Sequence, residues 1–261
     1  MIMPVFDTHM ILTLVGTAIA GGIIGLDRTA VGQFMISQPI VAGPLTGWML
    51  GDAEVGIVIG AALELIWVLD MPIGSFVPAN STISAVSATA IAALGNSGHA
   101  PLPVIGFSLL LTTCMVPITM LADSVVRKWN SRLWDIATSG SGEHTGRLLA
   151  RAHFFGIASF FLKSFVLYLM LIPAGIAAIA VFLHFPEYIH RAMSFFVKLL
   201  PLLGAALIVR NLSIKIFDMF LLVGFMTAAV LGQVFHAPML VLILTITGGL
   251  LGARYLEEEE R

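Results

Sequence analysis

Long apolar runs recur along almost the whole chain, from Ile11 to Leu251, and they constrain the fold more than any other feature. A helix needs roughly 20 mostly apolar residues to cross a bilayer. Only 11% of the 261 residues are charged, whereas soluble domains carry about 25%. The sequence therefore predicts an all-α, polytopic integral membrane protein, with residues 1–261 forming a single membrane domain.

The apolar runs differ in how often proline and polar residues interrupt them. In the longest run, Pro173 marks a point where a helix can break, because proline lacks a backbone donor. The candidate spans are residues 10–26, 102–121, 154–183, 195–209, 219–234 and 239–251.

Residues 31–94 are also apolar, but they are interrupted by prolines, glycines and aspartates, among them Pro39, Pro44 and Pro78. Non-helical backbone at membrane depth is tolerated only where protein buries it or where it lines a watery cavity. The N-terminal half, residues 1–122, is therefore predicted to contain broken or re-entrant helices. Several glycines in this half fall four residues apart, a spacing that lets helix backbones pack closely: Gly21 and Gly25, then Gly43, Gly47 and Gly51, then Gly56 and Gly60.

The main polar stretch, residues 123–153, separates this half from a more regular helical half, residues 154–261. It contains five basic residues, Arg127, Lys128, Arg132, Arg147 and Arg151. Because loops rich in Lys and Arg stay on the cytoplasmic side of a membrane, the stretch is predicted to be a cytoplasmic loop.

Glu64 is the most informative candidate for a binding site, because apolar or small residues flank it on both sides. A charged side chain at the centre of a spanning helix costs about 2.5 to 3.5 kcal/mol, so such a residue usually has a partner or a function. Two interpretations remain open. Glu64 binds substrate, or it holds helices together.

Uncharged polar groups form the rest of the predicted site. Asn80 and Ser81 follow Pro78, and their amide and hydroxyl can hydrogen-bond a polar ligand without adding a net charge; either residue can instead cap the helix that follows. Gln33 and Gln38 are candidates because amides in an apolar hairpin need partners. The adjacent Asp27 and Arg28 are interpreted as an interfacial ion pair.

Several function classes receive no support from the sequence. A net charge of −2 and a pI near 6.4 do not favour nucleic-acid binding. The seven histidines show no spacing typical of a metal site, and no phosphate-binding or dinucleotide-binding glycine motif is present. We therefore expect no metal, no cofactor and no catalytic residue in this chain.

Three ordered motifs in the N-terminal half carry a family resemblance. They are GQFMISQPIVAGPLTGWMLGD at residues 32–52, GIVIGAALELIWV at 56–68 and MPIGSFVPANSTISA at 71–85, with a weaker match, LVGFMTAAV, at 222–230. Together they resemble the IIC component of the mannose/fructose/sorbose family of bacterial phosphotransferase systems.

The resemblance implies a multi-pass, sugar-translocating subunit of the bacterial inner membrane that passes a hexose to a phosphorylating partner. Its partners would be a IID membrane subunit and the cytosolic IIA and IIB subunits, which carry the phosphorylated histidines, and an oligomer is expected. Family members often have an acidic residue where Asn80 stands and a basic one near Gln38. The sugar specificity of the family therefore cannot be carried over to this chain. A regulatory paralogue without transport, or an ion-coupled transporter that uses Glu64, are the alternatives.

Overall fold

The computed structural model describes residues 7–67, 78–95, 100–138 and 145–212, and these fold entirely into helices and their connections. The all-α prediction is confirmed. The chain divides into two compact units, Met1–Gly204 and Ala205–Arg261, and of the second the structure describes only the end of the last helix. The helices are α1 (Thr8–Leu26), α2 (Pro39–Met49), α3 (Ala53–Trp67), α4 (Ser81–Gly95), α5 (Leu102–Cys114), α6 (Val116–Thr138), α7 (Thr145–Phe182) and α8 (Glu187–Leu212).

Three of these helices, α1, α7 and α8, are long and apolar enough to cross a membrane. The predicted span 10–26 corresponds to α1, and 195–209 lies within α8. The predicted span 102–121 is not one helix, because α5 and α6 meet at Met115 with a bend of 41°. The predicted spans 219–234 and 239–251 lie outside the described residues.

Two expectations about the middle of the chain were wrong. The helix α7 runs for 38 residues through Pro173 without a break. The polar stretch 123–153 is mostly helical rather than a loop, since α6 continues to Thr138 and α7 begins at Thr145. Most charged side chains of this part of α6 are exposed, and Lys and Arg are good helix formers, so the helix continues beyond its apolar part.

The predicted broken region is confirmed where the structure describes it: α2, α3 and α4 have only 11, 15 and 15 residues. Residues 68–77 lie outside the described part, and residues 78–80, which lead into α4, are not helical. A non-helical turn also joins α2 to α3, where Gly51 takes a left-handed conformation with φ of 80°.

The glycine spacing has the packing role that was predicted for it. A Cβ atom added to Gly43 would lie 2.6 Å from the carbonyl oxygen of Gly56, and one added to Gly60 would lie 2.5 Å from that of Pro39. The backbones of α2 and α3 therefore touch directly. On α1, Gly21 and Gly25 instead face side chains of α7, those of Tyr168 and Ser164.

Helix α4 lies inside the protein. Every residue from Ser81 to Ala92 is buried, and α4 packs against α2, α3, α5 and α7. Small side chains permit this packing, since Ser, Thr and Ala make up most of its sequence. Among its contacts, Ile91 of α4 meets Gly175 of α7. The helix that carries two predicted site residues at its start is thus fixed by neighbours on all sides.

Candidate functional site

The N-terminal ends of α2 and α4 meet. The Thr82 hydroxyl in the first turn of α4 donates a 2.7 Å hydrogen bond to the carbonyl oxygen of Ser37, just before α2. Each helix start presents unpaired N–H groups and a partial positive charge of the helix dipole. The junction therefore favours hydrogen-bond acceptors and negative charge.

Glu64 supplies such a charge to α2. Its Oε2 accepts a 3.1 Å hydrogen bond from the backbone N–H of Ile40, in the first turn of α2. Gln38 occupies the N-cap position, but its side chain makes no capping bond, so the carboxylate from α3 takes over that role. The structural interpretation of Glu64 therefore has a physical basis. One oxygen is engaged with the backbone, and the residue is half-buried.

Asn80 and Ser81 belong to the start of α4. Asn80 is its N-cap, because its Oδ1 accepts the backbone N–H of Ile83 at 3.1 Å. The Ser81 hydroxyl accepts a 2.7 Å bond from Arg28, whose other terminal nitrogen donates to the carbonyl oxygen of Ala79, also at 2.7 Å. Asn80 and Ser81 are each only 5% exposed. The capping interpretation of Asn80 is confirmed.

Sequence reasoning missed a buried ion pair beside Asn80. The Lys163 ammonium of α7 pairs with Asp123 Oδ1 of α6, and the Asn80 amide Nδ2 donates to Asp123 Oδ2 at 3.3 Å. The Lys163 nitrogen also lies 5.6 Å from the centre of the Phe160 ring. The criterion that singled out Glu64, a charge within an apolar run, applies equally to Lys163 and would have found it.

Asp27 and Arg28 were interpreted as an ion pair, but they do not bond to each other. Each bonds to other groups of the chain. Asp27 is buried, and its two oxygens accept the backbone N–H groups of Phe34 at 2.6 Å and Ser37 at 3.0 Å. Burial opposes ionisation, but the N–H donors of Ser37 and Phe34 outweigh it and hold the pKa of the Asp27 carboxyl below its ordinary value. Asp27 thus holds the loop between α1 and α2 in place through these two hydrogen bonds.

That loop carries both predicted glutamines. Gln33 and Met35 have left-handed backbones, with φ of 58° and 65°, a conformation that costs non-glycine residues free energy. Gln33 and Gln38 are both exposed. The structure therefore places Glu64, Asn80 and Ser81 around the meeting helix starts, and the two glutamines on the adjoining exposed loop.

A small polar cleft adjoins the start of α4. It is lined by Arg28, Asn80, Asp123, Arg127 and Lys163, among others. Its interior volume is about 10 Å³, roughly what one water molecule needs, so this conformation has no room for a hexose in the cleft. The five side chains nevertheless bring charge and hydrogen-bonding groups from the end of α1, the start of α4, α6 and α7 to one place.

Residues 8–252 match the family model for the sorbose-specific IIC component of the phosphotransferase system. The chain is 40% identical over 70 residues to a candidate N-acetylgalactosamine permease IIC component 2 of Escherichia coli K12. That match covers 27% of this chain and spans about half (52%) of that relative. The mannose-specific EIIC component of E. coli K12 is 23% identical, over 87% of this chain and 82% of the relative. The sorbose-specific EIIC component of Klebsiella pneumoniae is 23% identical, over 76% and 73%.

Two solved structures share the fold. A chain of a structure described as a membrane protein superposes with a TM-score of 0.72 over 98% of this chain and 99% of its own length. A chain from the mannose transporter ManYZ in complex with microcin E492 gives 0.55 over 96% of each chain. Both are 18% identical in sequence, so the likeness concerns the fold alone.

Proposed function

This chain belongs to the family of sorbose-specific IIC components of the phosphotransferase system, and we propose that it binds a hexose within the membrane and delivers it for phosphorylation. As a IIC component it is an integral membrane protein with several candidate spans. Support for a sugar substrate comes from its relatives, which are named for mannose and sorbose.

The observation that carries the proposal is the meeting of the α2 and α4 N-terminal ends beside Glu64, Asn80 and Ser81. Glu64 uses one oxygen for Ile40, and a carboxylate has about four acceptor positions, so it has capacity for sugar hydroxyls. Ser81 accepts from Arg28 and keeps its own proton to donate. Broken helices whose ends face a site are typical of transporters.

In the proposed complex, other subunits carry out the phosphoryl transfer. A IID membrane subunit would complete the complex, and cytosolic IIA and IIB would relay a phosphoryl group to a hydroxyl of the bound sugar. This chain would supply selectivity and access, in a bacterial inner membrane and within an oligomer. Gln33 and Gln38, on the adjoining exposed loop, would complete the sugar contacts.

The side that meets the cytosolic subunits would be the polar part of α6 and the start of α7. Their exposed Lys and Arg residues favour the cytoplasmic face. A cysteine at Asp135, which is exposed on α6, should resist an impermeant maleimide in intact cells and react in inside-out vesicles. Cys114 is exposed too and must first be changed to Ser. Efficient labelling from outside would show that this part of α6 faces the other side of the membrane.

Substitution of Glu64 tests the sugar site itself. Glu64→Gln keeps an acceptor for the Ile40 N–H but loses the charge, and charge-assisted hydrogen bonds are roughly twice as strong as neutral ones. We expect weaker binding of the sugar by the purified IIC–IID complex, with a near-normal folded yield. The sugar is first identified with a panel of hexoses on the unmodified complex.

Glu64→Leu separates the two roles of this residue, because it also removes the helix cap. A well-folded Glu64→Leu protein with unchanged sugar affinity would exclude Glu64 from the site. Uptake that stops with a proton uncoupler but continues without phosphoenolpyruvate would instead identify an ion-coupled transporter. Absence of binding across the panel, in a folded complex, would favour a regulatory role.

A further inference from the structure

The amide of Asn80 is held in one orientation by two different partners. Its oxygen must face the N–H of Ile83 to cap α4, and its nitrogen then faces Asp123. Rotating the amide by 180° would place a donor against the Ile83 N–H and an oxygen against a carboxylate. Asp123 therefore permits only the orientation in which Asn80 caps the helix.

Lys163 fixes Asp123 in turn. It binds Oδ1 of Asp123, the carboxylate oxygen that does not accept from Asn80. The exposed fractions of the Lys163 and Asp123 side chains are only 7% and 8%. Bringing two charges out of water costs about as much as their attraction returns, so a buried ion pair is a poor stabiliser compared with apolar side chains of the same size. What an ion pair supplies and an apolar pair does not is direction. Here the acceptor faces α4 and the ammonium lies on the side of α7.

We propose that Asp123 is a positioning residue for the sugar site, which sets the orientation of the Asn80 amide and thereby the first turn of α4. This inference rests on the proposed function, since it assigns Asn80 and Ser81 to sugar binding. Three helices take part, because Lys163 belongs to α7, Asp123 to α6 and Asn80 to the start of α4. The site is thus tied to the two helices whose polar parts are proposed to face the cytosolic subunits.

The first test is Asp123→Asn, which keeps the size of the side chain but replaces an obligate acceptor with an amide that can face either way. Hydrogen exchange of the first-turn amides of α4 should become about fivefold faster, as expected when a helix cap is lost. Sugar affinity of the IIC–IID complex should fall about as much. Asp135→Asn, the same change at an exposed position of α6, is the matched control and should alter neither quantity.

The second test exchanges the charges in the double variant Asp123→Lys, Lys163→Asp. The ion pair is retained, but an ammonium now faces the Asn80 amide and favours its flipped orientation. Folded yield should therefore recover relative to Lys163→Met, which leaves the Asp123 carboxylate buried without its cation. First-turn protection and sugar affinity should remain low.

Recovery of yield, protection and affinity together would show that only the ion pair matters and would overturn the proposal. Unchanged exchange and affinity in a folded Asp123→Asn protein would overturn it as well. If the unmodified complex binds no hexose while Asp123→Asn still loses first-turn protection, the positioning of α4 stands and the proposed sugar function fails.

Discussion

The segment from α2 to α4 and the long helix α7 bury backbone in the same protein by different means. The three short helices have 11, 15 and 15 residues, whereas α7 has 38. Each helix end leaves N–H or C=O groups that need partners. In the short helices these partners are side chains, supplied either by another helix or by the residue just before the helix. Glu64 of α3 serves α2, Asn80 caps α4, and Asp52 accepts the N–H groups of Val55 in α3 and of Ala100.

The packing differs as well. The α2–α3 contact is made by backbone atoms, while α7 meets α1 through side chains such as Phe161. Backbone atoms cannot yield without moving the helix, whereas a side chain can change rotamer. We therefore infer that the short-helix region holds its geometry rigidly. Polar side chains are concentrated there because the many helix ends leave backbone N–H and C=O groups that need hydrogen-bond partners.

The largest effect is expected from Gly56→Ala in α3. The added Cβ would lie 2.4 Å from the carbonyl oxygen of Gly43, so the two helices would have to separate, at a cost of about 3 kcal/mol. Gly16→Ala in α1 is the control, since nothing lies within 4 Å of its added Cβ. The melting temperature in detergent is the measurement. Equal tolerance of both variants would contradict direct backbone contact.

Asp27→Asn should have the next largest effect, about 2 kcal/mol, because it weakens two hydrogen bonds to a buried charged acceptor. The pKa of Asp27 is lowered in the folded protein, so its contribution is complete at neutral pH and is lost as the pH falls below the ordinary carboxyl value of about 3.9. The protection factors of residues 31–38, which correct for the pH dependence of intrinsic amide exchange, should therefore fall on acidification of the unmodified protein. In Asp27→Asn they should be low at every pH. A variant with the same pH profile as the unmodified protein would show that Asp27 does not hold this loop.

Gly22→Ala, at the contact of α1 with α7, should cost only about 1 kcal/mol. Its added Cβ would meet the edge of the Phe161 ring at 2.7 Å, and that half-buried side chain can move. Adding Phe161→Leu should restore part of the lost melting temperature. Failure of this rescue would mean that α7 is packed as rigidly as α2 and α3.

The smallest effect is expected from Arg191→Gln at the start of α8. Arg191 pairs with Glu187 at 2.6 Å, but both side chains are about three-quarters exposed. Exposed pairs of this kind contribute at most about 0.5 kcal/mol. The melting temperature should stay within error of the unmodified protein. A clear decrease would show that charges stabilise helix starts outside the broken region as well.

Local rules predicted much of the fold. Prolines and polar residues in the 31–94 region indicated short helices, the glycine spacing indicated close packing, and the Pro-Ala-Asn-Ser sequence at residues 78–81 indicated a cap. The same rules were wrong at two places, Pro173 and the polar stretch 123–153. Pro173 does not interrupt α7, because a missing hydrogen bond within a long, packed helix is affordable. The polar stretch 123–153 was expected to be a loop because it is charged, yet helices also continue into water.

The candidate site was harder to predict than the fold. Asp123 and Lys163 are separated by 40 positions in the sequence, and nothing local indicates that α6 and α7 bring them to the start of α4. Arg28 was interpreted from its neighbour Asp27, although it bonds to residues about 50 positions away. Partners of charged residues depend on helix packing, which a single sequence does not reveal.

The enclosure of α4 affects how this protein responds to the lipid around it. With 15 residues at about 1.5 Å per residue, α4 is shorter than a hydrocarbon core of about 30 Å. Because protein surrounds it, α4 does not have to match that thickness. Hydrophobic mismatch acts on the helices long enough to cross the membrane, among them α1 and α7. A change in bilayer thickness can therefore affect the start of α4 through the side chains that bond to it, Arg28 just after α1 and Lys163 of α7 by way of Asp123.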